Sequence, residues 1–101
     1  MSIIKQYNKK DNLCKVTFKL SEVIFDSATQ VNLVGEFNNW ELDSMPMNKL
    51  KDGDFSISIY LEKGQEYQFK YLIDGWRWVN DPDSDKHVPN GFHSENSVII
   101  V

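Results

Sequence analysis

The sequence predicts an all-β, sandwich-type single domain, and three observations carry the prediction. Residues 55–61 alternate Phe55, Ile57, Ile59 and Leu61 with Ser56, Ser58 and Tyr60, the period-two pattern of a strand with one buried face. Turn signals such as Asp52-Gly53, Gly64 and Asp74-Gly75 punctuate the chain at intervals of roughly ten residues, which favours short strands over helices. The chain also ends on a short apolar run, Ser97 to Val101, suited to a last strand buried on both sides.

Each element follows from local pattern. Cys14, Val16, Phe18 and Leu20 alternate with Lys15, Thr17 and Lys19, a half-buried strand. Val31, Leu33 and Phe37 mark a second strand, leading into Gly35-Glu36-Phe37-Asn38-Asn39-Trp40. That hexapeptide reads as a turn that ends by presenting an indole, since two Asn before Trp40 and Glu41 after it make a polar setting. Residues 41–50 carry no clean period and contain Pro46, so they read as a connecting loop. Asp52-Gly53 supplies the positive-φ positions of a hairpin before the strand 55–61. Tyr67, Phe69, Tyr71 and Ile73 form the apolar side of the next strand, and Asp74-Gly75 turns the chain into Trp76-Arg77-Trp78-Val79. If Phe69 and Tyr71 point inward, Lys70 points out; if Val79 points inward, Trp78 and Trp76 point out.

Composition narrows the function. The 101 residues are 41% hydrophobic, 26% charged and 13% aromatic, enough for one domain with its own core. A net charge of -4 argues against nucleic acid or an anionic membrane as partner. With one cysteine no intrachain disulfide forms, and Cys14 reads as a buried structural thiol. No apolar run is long enough for a signal peptide or a membrane span, so the expected location is cytoplasmic.

Catalytic and cofactor patterns do not emerge. The two histidines, His87 and His93, lie in the polar stretch between Asn80 and Asn96, and no nucleophile elbow or Gly-rich phosphate loop is present. Asp81-Pro82-Asp83-Ser84-Asp85 invites a calcium reading, but Lys86 and Phe92 stand where an EF-hand loop needs Gly and Glu. A solvated acidic loop is the expectation there, with Asp81-Pro82 starting a turn. No cofactor, no metal and no enzymatic activity are expected. What remains is a set of displayed indoles, Lys70 and amide-bearing loops, with core burial of Trp76 or Trp78 as the competing reading. An aromatic ring covers the C–H face of a pyranose, while ammonium and amide groups meet its hydroxyls.

Four separated motifs then carry a resemblance: Val31 to Trp40, Tyr67 to Gly75, Trp78 to Pro82 and Asn96 to Val101. In that order they resemble family 48 carbohydrate-binding modules. That family includes the glycogen-binding domain of the AMP-activated protein kinase β subunit and the N-terminal early set domains of isoamylases and branching enzymes. The resemblance covers residues 13–101, with 1–12 as an N-terminal extension. It implies an immunoglobulin-like β-sandwich that binds α-1,4-linked glucans such as glycogen, starch or maltooligosaccharides without catalysis. By that resemblance Trp40 and Trp78 stack on glucose and Lys70 bonds its hydroxyls, while Phe92, Ser94 and Asn96 form a binding loop. One extra residue between Asp-Gly and the second Trp keeps Trp76 open as its substitute, and His93 stands where Gly is common. Phe92 replaces an aliphatic residue. Because the chain stops directly after its last strand, any glycogen-metabolising enzyme it serves is expected to be a separate polypeptide. The alternative is a domain that docks on such an enzyme, with weak or lost sugar binding.

Overall fold

A computed structural model describes residues 2–21, 28–91 and 94–101. The strands are β1 (Ser2–Tyr7), β2 (Leu13–Leu20), β3 (Val31–Gly35), β4 (Asn48–Lys49), β5 (Phe55–Glu62), β6 (Glu66–Ile73), β7 (Arg77–Val79), β8 (Lys86–Pro89) and β9 (Glu95–Ile100). They form two antiparallel sheets of an immunoglobulin-like sandwich. One runs β1-β2-β5-β4; the other runs β3-β6-β9-β8, with β7 also on β6.

The inward rows are those the alternation predicts. Val16, Phe18 and Leu20 of β2 meet Phe69, Tyr71 and Ile73 of β6, and all are buried. Phe18 sits at the centre, with ring centroids 5.2 Å from Phe69, 6.2 Å from Phe37 and 6.5 Å from Tyr71. Edge-to-face packing of this kind adds to the burial of large rings. Cys14 is fully buried, as expected of a structural thiol. Residues 2–7 extend the first sheet, pairing Ile3 with Phe18 and Lys5 with Val16. Lys5 then reaches the other sheet, pairing with Asp85 at 2.8 Å.

Strand β6 organises the sheet that matters for function. Phe69 pairs with Gly35 of β3 and with Ser97 of β9, so those two strands lie on opposite edges of β6. Strand β7 pairs with residues 71–73, continuing the edge that β9 leaves. The far end of β6, β7 and β9 therefore share one outward face. The Asp74-Gly75 hairpin forms as read, with φ of 52° and 79°. Asp74 anchors it, accepting bonds from Thr29 N, Thr29 Oγ1 and Gln30 N at 2.8, 2.9 and 2.9 Å. Those backbone and hydroxyl donors hold its carboxyl below the usual carboxylate range.

Phe37 falls in a 3-10 turn after the strand of Val31 and Leu33 and not on it, and two further local expectations need correction. The stretch 41–50 is not a plain connection: Met45 O accepts from Leu33 N at 3.0 Å and Met47 N donates to Val31 O at 2.8 Å, while Asn48–Lys49 pairs with β5. An open edge of β3 offers unpaired backbone groups, and this stretch satisfies them although Pro46 lacks an N–H. The acidic loop is also not uniformly solvated, because Asp81 is fully buried. Its carboxylate accepts the Tyr71 hydroxyl at 2.7 Å and Asp83 N at 2.8 Å. An inward phenol needs a partner, and Asp81 supplies it. Burial pushes the Tyr71 phenol well above its usual range, with the charge and hydrogen bond of Asp81 adding to the shift.

Candidate functional site

The turn after β3 is built to hold Trp40 outward. Gly35 is extended, at φ -173°, so its role is space and not conformational freedom. A Cβ there would lie 2.6 Å from Gln68 O and 2.8 Å from Phe69 Cβ. A short 3-10 turn, Glu36–Asn38, follows, then Asn39 at φ 55° and Trp40 at φ 58°. A left-handed Trp is sterically unfavourable, so its surroundings must hold it. Asn38 is the main brace: Oδ1 accepts from Gly35 N at 3.0 Å, and Nδ2 reaches Leu33 O, Glu41 O and Ser44 Oγ. Trp40 N donates to Gly35 O at 2.9 Å, and Phe37 drives back among Phe18, Tyr67 and Phe69. One aromatic of the turn is an anchor; the other is displayed.

The outward row of β6 supplies the floor. Gln68 and Lys70 stand there by alternation with Phe69 and Tyr71. Lys70 is only 9% exposed, because neighbouring elements close over its stem. Its ammonium donates to Glu95 O at 3.0 Å and to Ser94 Oγ at 3.4 Å. Gln68 is held at its backbone by Glu36 Oε1, 2.6 Å away, and at its side chain by Asn96 Nδ2, 3.0 Å away. Asn90 Nδ2 donates in turn to Asn96 Oδ1 at 3.3 Å. Trp78, opposite Leu72, rises at the side on β7.

These groups line one cleft of about 690 Å³. Trp40, Lys70, Trp78, Ser94 and Asn96, singled out from the sequence, are brought together there. Trp76 is not in the lining: it sits in the β6–β7 turn, 74% exposed, where the extra residue is absorbed before Ile73 pairs with Arg77. Core burial of either hairpin Trp is thereby excluded, as Trp78 is 44% exposed. Phe92 and His93 lie outside the described residues. Three lining residues were missed in the sequence: Glu36, Gln68 and Asn90. Alternation with Phe69 carried the signal for Gln68; the other two sit in a turn and a loop, where spacing says nothing about direction.

Chemically, the lining offers two partly exposed indoles, three amides, one hydroxyl, one ammonium and one carboxylate. Amides act as donor and acceptor at once, which matches vicinal hydroxyls. Among the described lining residues one cation stands against one carboxylate, which makes no row of positive charge for phosphates. Glycoside hydrolysis normally requires a carboxyl pair, and Glu36 is the single carboxylate among the described lining residues. Among the described residues there is also no cluster of three His, Cys, Asp or Glu suited to a metal, and no helix long and apolar enough to cross a membrane.

Comparison with known proteins agrees with this geometry. A family model described as the glycogen recognition site of AMP-activated protein kinase matches residues 7–101. The chain is similar to an amylopullulanase from Thermoanaerobacterium thermosulfurigenes, 33% identical over 73 residues, covering 70% of this chain and 4% of that protein. It is also similar to Cruciform DNA-recognizing protein 1 of Saccharomyces cerevisiae (strain RM11-1a), 31% identical over 67 residues, covering 63% of this chain and 14% of that protein. The matched region thus spans a small fraction of the length of these curated relatives.

Proposed function

The chain belongs to the family of the glycogen recognition site of AMP-activated protein kinase, a family of non-catalytic carbohydrate-binding modules, and from that premise we propose that its cleft binds α-1,4-linked glucan. The carrying observation is the convergence of Trp40, Trp78 and Lys70 on one hollow. Trp40 and Trp78 take the C–H faces of adjacent glucosyl units. Lys70, Gln68, Ser94 and Asn96 meet the hydroxyls. Trp78, not Trp76, is the second stacking residue. An open cleft with few stacking contacts gives a Kd on the order of micromolar to millimolar. The chemistry suits a neutral polyol, which an acidic protein binds without electrostatic cost.

Titration with maltoheptaose, followed by Trp fluorescence, tests this reading. Saturable change is expected, and a flat signal up to about millimolar sugar refutes it. Cruciform DNA in a parallel titration is expected to leave the signal unchanged, the net charge being -4.

A second reading concerns a different surface. The first sheet exposes Ile4, Tyr7, Leu13 and Tyr60, apolar area suited to a protein contact. Docking there on a glycogen-metabolising enzyme is compatible with glucan in the cleft. Binding of such an enzyme that survives removal of all glucan and is lost in Tyr60→Asp supports it.

A further inference from the structure

We propose that Asn80 and Ser97, which lie outside the cleft lining, are positioning residues that aim the Lys70 ammonium at the ligand. The inference rests on the glucan reading of the cleft. Ser97 is fully buried on β9, and Asn80 follows Val79 of β7. The Ser97 hydroxyl accepts Asp81 N at 2.9 Å, so its own proton is directed to Asn80 Oδ1, also at 2.9 Å. That bond fixes which way the Asn80 amide faces. Its nitrogen consequently donates to Glu95 O at 2.9 Å. Glu95 O is the same oxygen that takes the Lys70 ammonium at 3.0 Å.

The chain of donors thus has one direction, from the buried Asp81 backbone through Ser97 and Asn80 to a carbonyl whose two lone pairs are both used. Asp81 is itself held by the Tyr71 hydroxyl. Among the described residues Lys70 spends two of its three ammonium protons, on Glu95 O and Ser94 Oγ, and the third is the one we assign to a sugar hydroxyl. A lysine with that much stem buried and two protons committed has little freedom, so the position of Glu95 O sets where the third proton points. Ser97 orients the Asn80 amide, and Asn80 in turn holds Glu95 O.

The discriminating variant is Asn80→Asp. It keeps an acceptor for Ser97 but places a second acceptor against Glu95 O and a negative charge that draws the ammonium away. At about pH 7 its affinity for maltoheptaose is expected to fall about tenfold. Near pH 3.5, where a carboxyl gains a proton and donates again, most of the loss is regained relative to the unmodified protein in the same buffer. Unchanged affinity at neutral pH, or a loss of equal size at both pH values, overturns the proposal. The Lys70 ammonium signal in nitrogen-15 NMR gives a readout that needs no ligand. It is expected to be protected from solvent exchange in the unmodified protein and to lose protection in Asn80→Asp at neutral pH; an unchanged signal in the variant also overturns the proposal. If that loss of protection occurs while the unmodified protein binds no maltoheptaose, the glucan reading fails and the positioning role stands.

Discussion

Replacing the two hairpin indoles one at a time separates a sugar platform from a merely exposed ring. Trp78 lines the cleft and is 44% exposed; Trp76 is 74% exposed and lies outside it. A Trp side chain carries about 250 Å² at most, so Trp78 offers about 110 Å² to solvent, about half of it on the face toward the cleft. Covering about 55 Å² at about 25 cal/mol per Å² is worth about 1.4 kcal/mol, tenfold in Kd. The matching C–H face of the sugar loses a similar area, so the sum approaches a hundredfold. Trp78→Ala is therefore expected to weaken maltoheptaose binding tenfold to a hundredfold by isothermal titration calorimetry. Trp76→Ala is expected to change it less than about twofold, although it removes the more exposed ring. A larger effect from Trp76→Ala, or a change below about threefold from Trp78→Ala, would refute the assignment of the stacking wall.

Three further outcomes follow from the packing. Gly35→Ala puts a methyl 2.6 Å from a backbone oxygen that cannot move aside alone, so denaturant unfolding should show a loss of about 2–3 kcal/mol; a loss under about 0.5 kcal/mol would contradict the close approach. Tyr71→Phe leaves the packing of the ring but removes the 2.7 Å donor from the fully buried Asp81, at an expected cost of about 1–3 kcal/mol, and a variant as stable as the parent would mean the bond is dispensable. Asp85 is raised by burial but more than compensated by the Lys5 hydrogen bond, Ile100 N and the Lys5 charge, so its net pKa is lowered, as is that of Asp74. A carboxylate depressed in the folded state stabilises above its unfolded pKa, about 3.9, and that contribution disappears as pH falls through the folded value. Thermal stability should accordingly drop below about pH 4, and Asp85→Asn should show a shallower acid decline; equal slopes would contradict the shift.

Much of the fold was legible because strand patterns are local. Alternation alone put Phe18, Phe69 and Tyr71 inward and Lys70 outward, and Asp74-Gly75 specified its own turn. The resemblance added the pairing of Trp40 with Trp78, which sit far apart in the chain and share no local pattern. Segments whose partners are distant were misread. The run around Met45 and Met47 follows a strand edge, and Asp81 answers a buried phenol. Neither tie leaves a periodic trace in its own segment.

By itself, then, the order of residues determined which side chains face in or out along each strand and where hairpins close, and it left burial of Trp76 or Trp78 open. Tertiary structure alone decided that Trp40 and Trp78 face one hollow while Trp76 does not, and that Glu36, Gln68 and Asn90 join them. The physical reason is that period-two alternation sets the direction of a side chain relative to its own strand. The meeting of a turn, a strand face and a loop depends instead on how β3, β7 and β9 are placed around β6.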